Sequence, residues 1–406
     1  MRGADVQQLG MFSYLSVEDR VPLDHPIRKL RVLVDTILRE LDDVLASRYA
    51  VGFRESIPPE RLLRASLLQV VYSVRSERLL MEQLNYNLLF RWFVGLNIDN
   101  AVWDHSTFSF NRERLFDAEI AQRFFEHTVL LARLHDLVSD EHFSVDGTLL
   151  EAWASHKSFR PKDEDDGSDG SDFRGTQRSN DTHASTTDAD ARLARKGKRR
   201  EAKLSYLANT LMENRNGLLV GIDVRHASGT GERDGALASA DAHVKRGATL
   251  GADKGYDVRD FVNALHERGI QAHIARHTKG RRSAIDGRHA RSSGYAMSQQ
   301  VRKRIEQGFG WVKTVGALRK LPLIGLHAVR GWVTWNFAAY NLIRLCGLGE
   351  WWDTSPTSGI GIFHRHPVSP SQEDREIDLI PRHRERNKLS LNSEISASQQ
   401  PVRVLN

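Results

Sequence analysis

The hydrophobic period of the chain changes at the stretch "EHFSVDGTLLEAW", and that switch limits the folds open to it more than any other feature. Upstream, apolar residues recur at helical spacing: Ile27, Leu30, Val34, Ile37, Leu38, Leu41 and Leu45 make one stripe, with Asp24 in the N-cap position and Pro26 in the first turn. Similar stripes run over 59–74, 77–89, 107–115 and 118–134, separated by turn and cap residues such as Ser76 and Ser106. Residues 1–138 therefore read as an all-helical unit. From Phe143 the period drops to two: Phe143 and Val145 alternate with Ser144 and Asp146, the pattern of a strand.

Downstream, "KLSYLANTLM" and "GLLVGIDVRHA" flank "ENRNG", a hairpin signal in which Gly217 is free to take a positive φ. Then "ALASADAHVKR" reads as a helix, "ATLGAD" as a short strand, "VRDFVNALHERG" as a helix ended by Gly269, and "IQAHIA" as a further strand. The order is three strands, helix, strand, helix, strand, helix: an α/β domain over 139–350 with a mixed sheet flanked by helices. Residues 160–200 interrupt it with an acid-rich block, a basic block, glycine and serine, which predicts a mobile charged insertion. "HAVRGWVTWNFAAYNLIRLCGL" is a long apolar scaffold helix, and the proline-, serine- and arginine-rich residues 351–406 read as a disordered tail.

A chain of 406 residues, 40% hydrophobic, can bury real cores. Its net charge of +6 permits a polyanionic partner without requiring one. The lone Cys346 excludes an intrachain disulfide and a cysteine-based zinc cluster. No apolar stretch has membrane-spanning length and no signal-peptide pattern opens the chain, so the expectation is a soluble, cytoplasmic protein with no membrane partner. The histidines show no HExxH spacing, and neither a GxxxxGK[ST] phosphate loop nor a dinucleotide fingerprint is present, so no nucleotide cofactor is expected.

Three acids stand out by position: Asp146 in the first strand, Asp253 directly after "ATLGA", and Glu306 in "VRKRIEQGFGWVK". Read as one helix, that last segment puts Val301, Ile305, Phe309 and Val312 on a core-facing stripe, with Arg302, Glu306 and Lys313 grouped on a neighbouring face. The bland reading is an ion pair on a solvated face. The other reading brings strand-borne and helix-borne carboxylates together around hard divalent cations, which activate a water or 3′-hydroxyl for attack on a phosphodiester. Asp223, Asp234, Asp241, Asp257 and Asp260 compete for the same role. The basic stretch "ARHTKGRRSAIDGRHARSS", which holds Arg281 and Arg282, is either a solvated loop or a phosphate-neutralising one.

At these residues the sequence resembles the DDE transposases of bacterial insertion sequences, in the branch called insertion sequence five. The likeness rests on "FSVDGTLLEAWASHKSF" around Asp146, on "GADKGYD" around Asp253, and on a Tyr, Arg, Glu, Lys signature whose last three positions are Arg302, Glu306 and Lys313. Gln299 stands at the tyrosine position of that signature, with Tyr295 one turn earlier. "NDTHASTTDADARL", "RWFVGL" and "WDHSTFSFNRERL" extend the resemblance over about residues 10 to 350. It implies a ribonuclease-H-like catalytic domain in which Asp146, Asp253 and Glu306 bind Mg²⁺, with Mn²⁺ as a substitute. It also implies double-stranded DNA as partner, both as terminal inverted repeats and as target, a homo-oligomer on that DNA, and end binding by the helical domain. Arg302, Lys313, Gln299, Arg281 and Arg282 would then contact DNA. Two rivals share much of this pattern: a catalytically silent DNA-binding regulator and a structure-selective nuclease of the same fold.

Overall fold

The helical stripes of the N-terminal region form where the apolar periodicity places them, with shifted ends. In the computed structural model, which describes residues 16–48, 56–115, 118–162, 179–197, 200–278, 280 and 282–349, they are α1 (Val17–Arg20), α2 (Pro26–Glu40), α3 (Asp42–Ala46), α4 (Pro59–Val71), α5 (Glu77–Tyr86), α6 (Leu88–Val94), α7 (His105–Leu115) and α8 (Ala118–Leu134). His25, rather than Asp24, caps α2 by accepting the Ile27 N–H at 3.2 Å, because Pro26 occupies the first helical position and the cap must directly precede it. Ser76 caps α5 as expected. Ser106 lies inside α7, where the Asp104 carboxylate takes its N–H at 2.8 Å. The stripe over 77–89 is two helices, since the Asn87 side chain accepts from Leu89 and Phe90 N–H and starts α6 anew.

After these come β1 (His142–Glu151), β2 (Phe159–Pro161), β3 (His183–Ser185), β4 (Arg192–Ala194), β5 (Lys203–Glu213), β6 (Leu219–His226), α9 (Gly231–His243), β7 (Thr249–Ala252), α10 (Arg259–Glu267), β8 (Gln271–Ile274), α11 (Ser293–Val301), α12 (Arg304–Thr314) and α13 (Leu326–Cys346). In the main sheet β5 runs antiparallel to β1 and β6 antiparallel to β5, whereas β7 and β8 extend the other side of β1 in parallel. The central order β6-β5-β1-β7-β8, with helices between β6 and β7 and between β7 and β8, is the ribonuclease-H-like arrangement. Gly217, at φ +70°, turns the β5–β6 hairpin. No helix among the described residues is long and apolar enough to cross a membrane.

The long apolar helix is indeed scaffold. α13 packs against α8, α2 and β6, and its buried Asn341 amide both accepts from and donates to the backbone of Leu219, at 2.9 and 2.8 Å. That pair satisfies an edge position of β6 that a side chain without both donor and acceptor would leave open. The described residues up to Gly349 form one compact unit.

Two sequence expectations are corrected here. The insertion 160–200 is not a loop throughout: β2 pairs with β3, and β4 pairs with the start of β5 in the main sheet. Asp188, 1% exposed, accepts the Tyr206 hydroxyl at 2.7 Å and the Gly325 N–H at 3.3 Å, and Asp190 accepts the Leu326 N–H at 2.9 Å. These carboxylates tie the segment to β5 and to the start of α13, contacts too remote in sequence for local composition to reveal. Asp188→Ala is expected to cost about 2 kcal/mol in a thermal or urea melt, because it strands buried donors; a midpoint equal to wild type would contradict the anchor. Residues 163–178 and the tail 351–406 lie outside the described residues. The second correction concerns "VRKRIEQGFGWVK", which is not a single helix. It breaks between α11 and α12, where Ile305 and Glu306 N–H bond to the carbonyls three residues back, Arg302 and Lys303, a tightened turn that apolar spacing does not register.

Candidate active site

Strand register decides where the first two acids lie. β1 and β7 are parallel, with Phe143 level with Leu250 and Ser144 level with Gly251. Two residues further along are Asp146, within β1, and Asp253, directly after the last residue of β7, so the parallel register carries both acids to the same end of the paired strands. Asp253 begins a tight turn over Lys254–Tyr256 and accepts the Gly255 N–H at 2.7 Å. A Cβ on Gly255 would stand 2.9 Å from that same carboxylate oxygen, so the glycine permits the close turn.

The helix α12 lies against β1. Lys313 in its last turn donates to the Thr148 hydroxyl and, at 3.4 Å, to the Leu149 carbonyl. Thr148 is two residues from Asp146 and so on the same face. Glu306, exposed in the first turn of α12, adds to the repulsion felt by Asp146.

Burial is the largest force on the Asp146 carboxyl, and with the charges of Asp253, Glu232 and Glu306 it raises the pKa to about 7 against the opposing hydrogen bond from Gly147 N–H. Burial and Lys196 push the Lys313 ammonium below its usual value, with Asp146 pulling the other way. Tyr256, 1% exposed, has a hydroxyl without a hydrogen-bond partner, and burial together with Asp146, Glu232 and Asp253 holds its pKa well above normal.

Most of the rival acids are occupied elsewhere. Asp223 accepts from Arg225 and Asn209, Asp234 from the Thr230 hydroxyl, and Asp241 from both ends of the Arg268 guanidinium. Asp257 accepts N–H bonds from His277 and Ala284, at 2.7 and 2.8 Å, and so pins the basic loop. Arg282 is exposed on that loop, while Arg281 lies outside the described residues. Arg302 donates to Gln299 at 3.0 Å, Gln299 donates to the His273 carbonyl, and the Arg302 Cβ lies over Gly251. Tyr295 is committed to the Ile274 carbonyl at 2.7 Å. The break after α11 therefore takes Arg302 off the α12 face that carries Lys313.

These residues suit a hard divalent cation. The donors are all oxygens, and the hydroxyls of Tyr256 and Thr210, the latter directly across from Asp146, are buried without partners. Among the described residues no three His, Cys, Asp or Glu side chains are close enough to enclose an ion as they stand. Mg²⁺ does not require that, since it keeps several waters and takes one or two carboxylates. Sequence reading missed two members of this neighbourhood. One is Glu232, at the second position of α9, whose only signal was an acid opening a helix after the hairpin. The other is Lys196, whose charge acts on both Lys313 and Glu232 from the end of the insertion.

Residues 140–342 match the family described as Transposase DDE domain, which is half of the chain. The chain belongs to the DDE transposase family. Residues 15–114 of this transposase also match the family described as Transposase domain (DUF772). No curated protein matches it. Among solved structures it is similar to a piggyBac transposase synaptic complex with hairpin DNA, at 9% identity and TM-score 0.41, covering 95% of this chain and 83% of that one. It is also similar to a Mos1 transposase paired-end complex with left transposon end, at 11% identity and TM-score 0.18, covering 70% and 87%. Transposases of the DDE family generally use divalent metal ions.

Proposed function

We propose that this transposase binds the terminal inverted repeats of an insertion sequence and catalyses Mg²⁺-dependent strand cleavage and strand transfer, with Asp146, Asp253 and Glu306 as metal-holding carboxylates. The observation that supports the reading is the parallel register of β1 and β7, which carries Asp146 and Asp253 to the same end of the two strands, together with the packing of α12, the helix of Glu306, against β1. When bound, the cations polarise the scissile phosphate and lower the pKa of an attacking water or 3′-hydroxyl. Everything else falls to the chain. The three carboxylates hold the cations, and the Tyr256 and Thr210 hydroxyls are free to hydrogen-bond the carboxylates once these are drawn together. Lys313, fixed by Thr148, presents a cation to the phosphodiester, as does Arg302 beside β7, Gln299 offers its neutral amide there, and Arg282 and Arg281 add charge that neutralises phosphates. The N-terminal helices grip the element's ends, and a homo-oligomer pairs two of them.

The test is cleavage of labelled DNA carrying the flanking ends of the encoding element, by wild type and Glu306→Gln, with Mg²⁺ and with EDTA. Metal-dependent nicking at the ends that disappears in the variant supports the reading. End binding without cutting would move the protein to a silent regulator, and cutting of branched DNA irrespective of ends would make it a structure-selective nuclease.

Lys313→Ala gives a separate expectation. DNA binding should weaken uniformly across sequences, and the slope of log affinity against log salt should fall by about 1, the signature of one lost phosphate contact. An unaltered slope with unaltered cleavage would remove Lys313 from the DNA.

A further inference from the structure

One contact between the helical region and the catalytic domain joins two turns, each with a residue in an uncommon conformation. Ser73, between α4 and α5, donates its hydroxyl to the carbonyl of Val315 at the end of α12, at 2.8 Å. Ser73 has φ +53° and Ala317 has φ +56°, left-handed values that a residue with a side chain keeps only where its neighbours fix it. Beyond Ala317 the chain joins the end of β1. The Leu321 N–H bonds the Glu151 carbonyl at 2.8 Å, and the Lys320 ammonium stands over the Trp153 ring, 5.6 Å from its centroid. Residues 73–78, 315–321 and 151–153, remote from one another in sequence, are thereby tied together.

What these stretches expose is cationic. Arg75 and Arg78 at the start of α5, and Arg319 and Lys320 after α12, are all exposed, and among the described residues none of the four is paired with a carboxylate. Against them stand Glu82, exposed one turn beyond Arg78, Glu151, which pairs with Lys203 at 2.8 Å, and Glu77, which is turned to the Ser109 hydroxyl. The balance is positive. Trp153, 53% exposed, leaves a large apolar ring at the surface beside these cations. Charges of this kind suit phosphates, and such a ring suits the sugars between them.

The patch is continuous with the candidate active site. Lys313, two residues before Val315, bonds Thr148 and Leu149 of β1, and Glu151 lies five residues beyond Asp146 on that strand. At about 3.3 Å per strand residue that is roughly 17 Å, or about five nucleotides at about 3.4 Å each.

We propose that Arg75, Arg78, Arg319, Lys320 and Trp153 form a further hold on duplex DNA, about five nucleotides from the phosphate addressed by Asp146. The helical region supplies one half of this hold and the catalytic domain the other, with the Ser73 hydroxyl keeping the halves in register. The proposal rests on the end-binding reading above and adds to it a stretch of DNA that touches both domains.

The test is equilibrium binding of the full chain to DNA carrying the element's ends, over a salt series without divalent metal, so that no cutting intervenes. Two paired variants are compared with wild type: Arg75→Gln with Arg78→Gln, and Arg319→Gln with Lys320→Gln. Arg246→Gln, exposed in the turn before β7, is the control. Each pair should flatten the slope of log affinity against log salt by about 2, one for each lost phosphate contact, and Arg246→Gln should leave it unchanged. Trp153→Ala should weaken binding about tenfold at an unchanged slope, because the ring carries no charge. Thermal midpoints should stay at the wild-type value, since these side chains are exposed. A wild-type slope in either pair, an equal loss in Arg246→Gln, or wild-type affinity in Trp153→Ala overturns the proposal, and wild-type preference for the ends then leaves the end-binding reading standing. A wild-type chain that binds the ends no better than unrelated DNA overturns both.

Discussion

Asp146→Asn is expected to lower metal-dependent cleavage at the element's ends by roughly a thousand-fold, since stabilisation by a bound metal is worth several kcal/mol and each 1.4 kcal/mol is about tenfold in rate. End binding should change little, because the residues proposed to hold DNA are other side chains, Arg302, Lys313, Gln299, Arg281 and Arg282. The substitution is nearly isosteric, and the asparagine oxygen can still accept the Gly147 N–H that Asp146 accepts at 2.8 Å. It also removes a charge from a set in which Asp253, Glu232 and Glu306 all oppose ionisation of Asp146. Metal-free stability at pH 8 should therefore hold or rise while activity collapses, a combination that simple unfolding cannot produce. Parallel cleavage, mobility-shift and thermal-melt measurements read the three quantities. Cleavage and binding that fall together would mean that Asp146 shapes the DNA surface rather than serving the chemistry.

The placement of Asp146 in a strand and of Asp253 at the end of one was legible in the sequence because local physics reads each pattern: a period-two run in one case, a short strand followed by a glycine-permitted turn in the other. The strand and helix order of the catalytic domain was legible for the same reason, and the parallel register then brings the two acids to the same end of β1 and β7. Glu232 was hidden because its position depends on the absence of a side chain at Gly147, on a strand far from it in sequence. The insertion was misjudged in the same way: its charge blocks look unable to fold, but Asp188 and Asp190 find Tyr206, Gly325 and Leu326 across the domain. The break at Arg302 and Lys303 escaped because a single tightened turn barely moves the apolar stripe, yet it separates Arg302 from Lys313.

Trp335→Ala should destabilise the protein by about 3–5 kcal/mol, the cost of emptying a buried tryptophan site. Trp335 is fully buried, with its ring centroid 4.5 Å from that of Phe124 on α8. The same helix that receives α8 there bonds β6 through Asn341 and carries α12 through Phe337 against Phe309 and Tyr340 against Trp311, at 6.1 and 5.9 Å between centroids. α13 is thus the shared wall of the N-terminal helices, the sheet edge and the helix that holds Glu306 and Lys313. If that wall couples them, urea unfolding followed by fluorescence and by far-ultraviolet circular dichroism should shift to lower midpoint as one coincident transition. Cleavage should fall with it under conditions where the variant is still folded, because a loosened α13 lets Glu306 drift from Asp146, and tight placement is what a metal-holding carboxylate requires. Trp335→Phe should recover most of both losses. Two separate transitions, with the sheet melting as in wild type, would show that the helical region is fastened to the catalytic domain by something other than this helix.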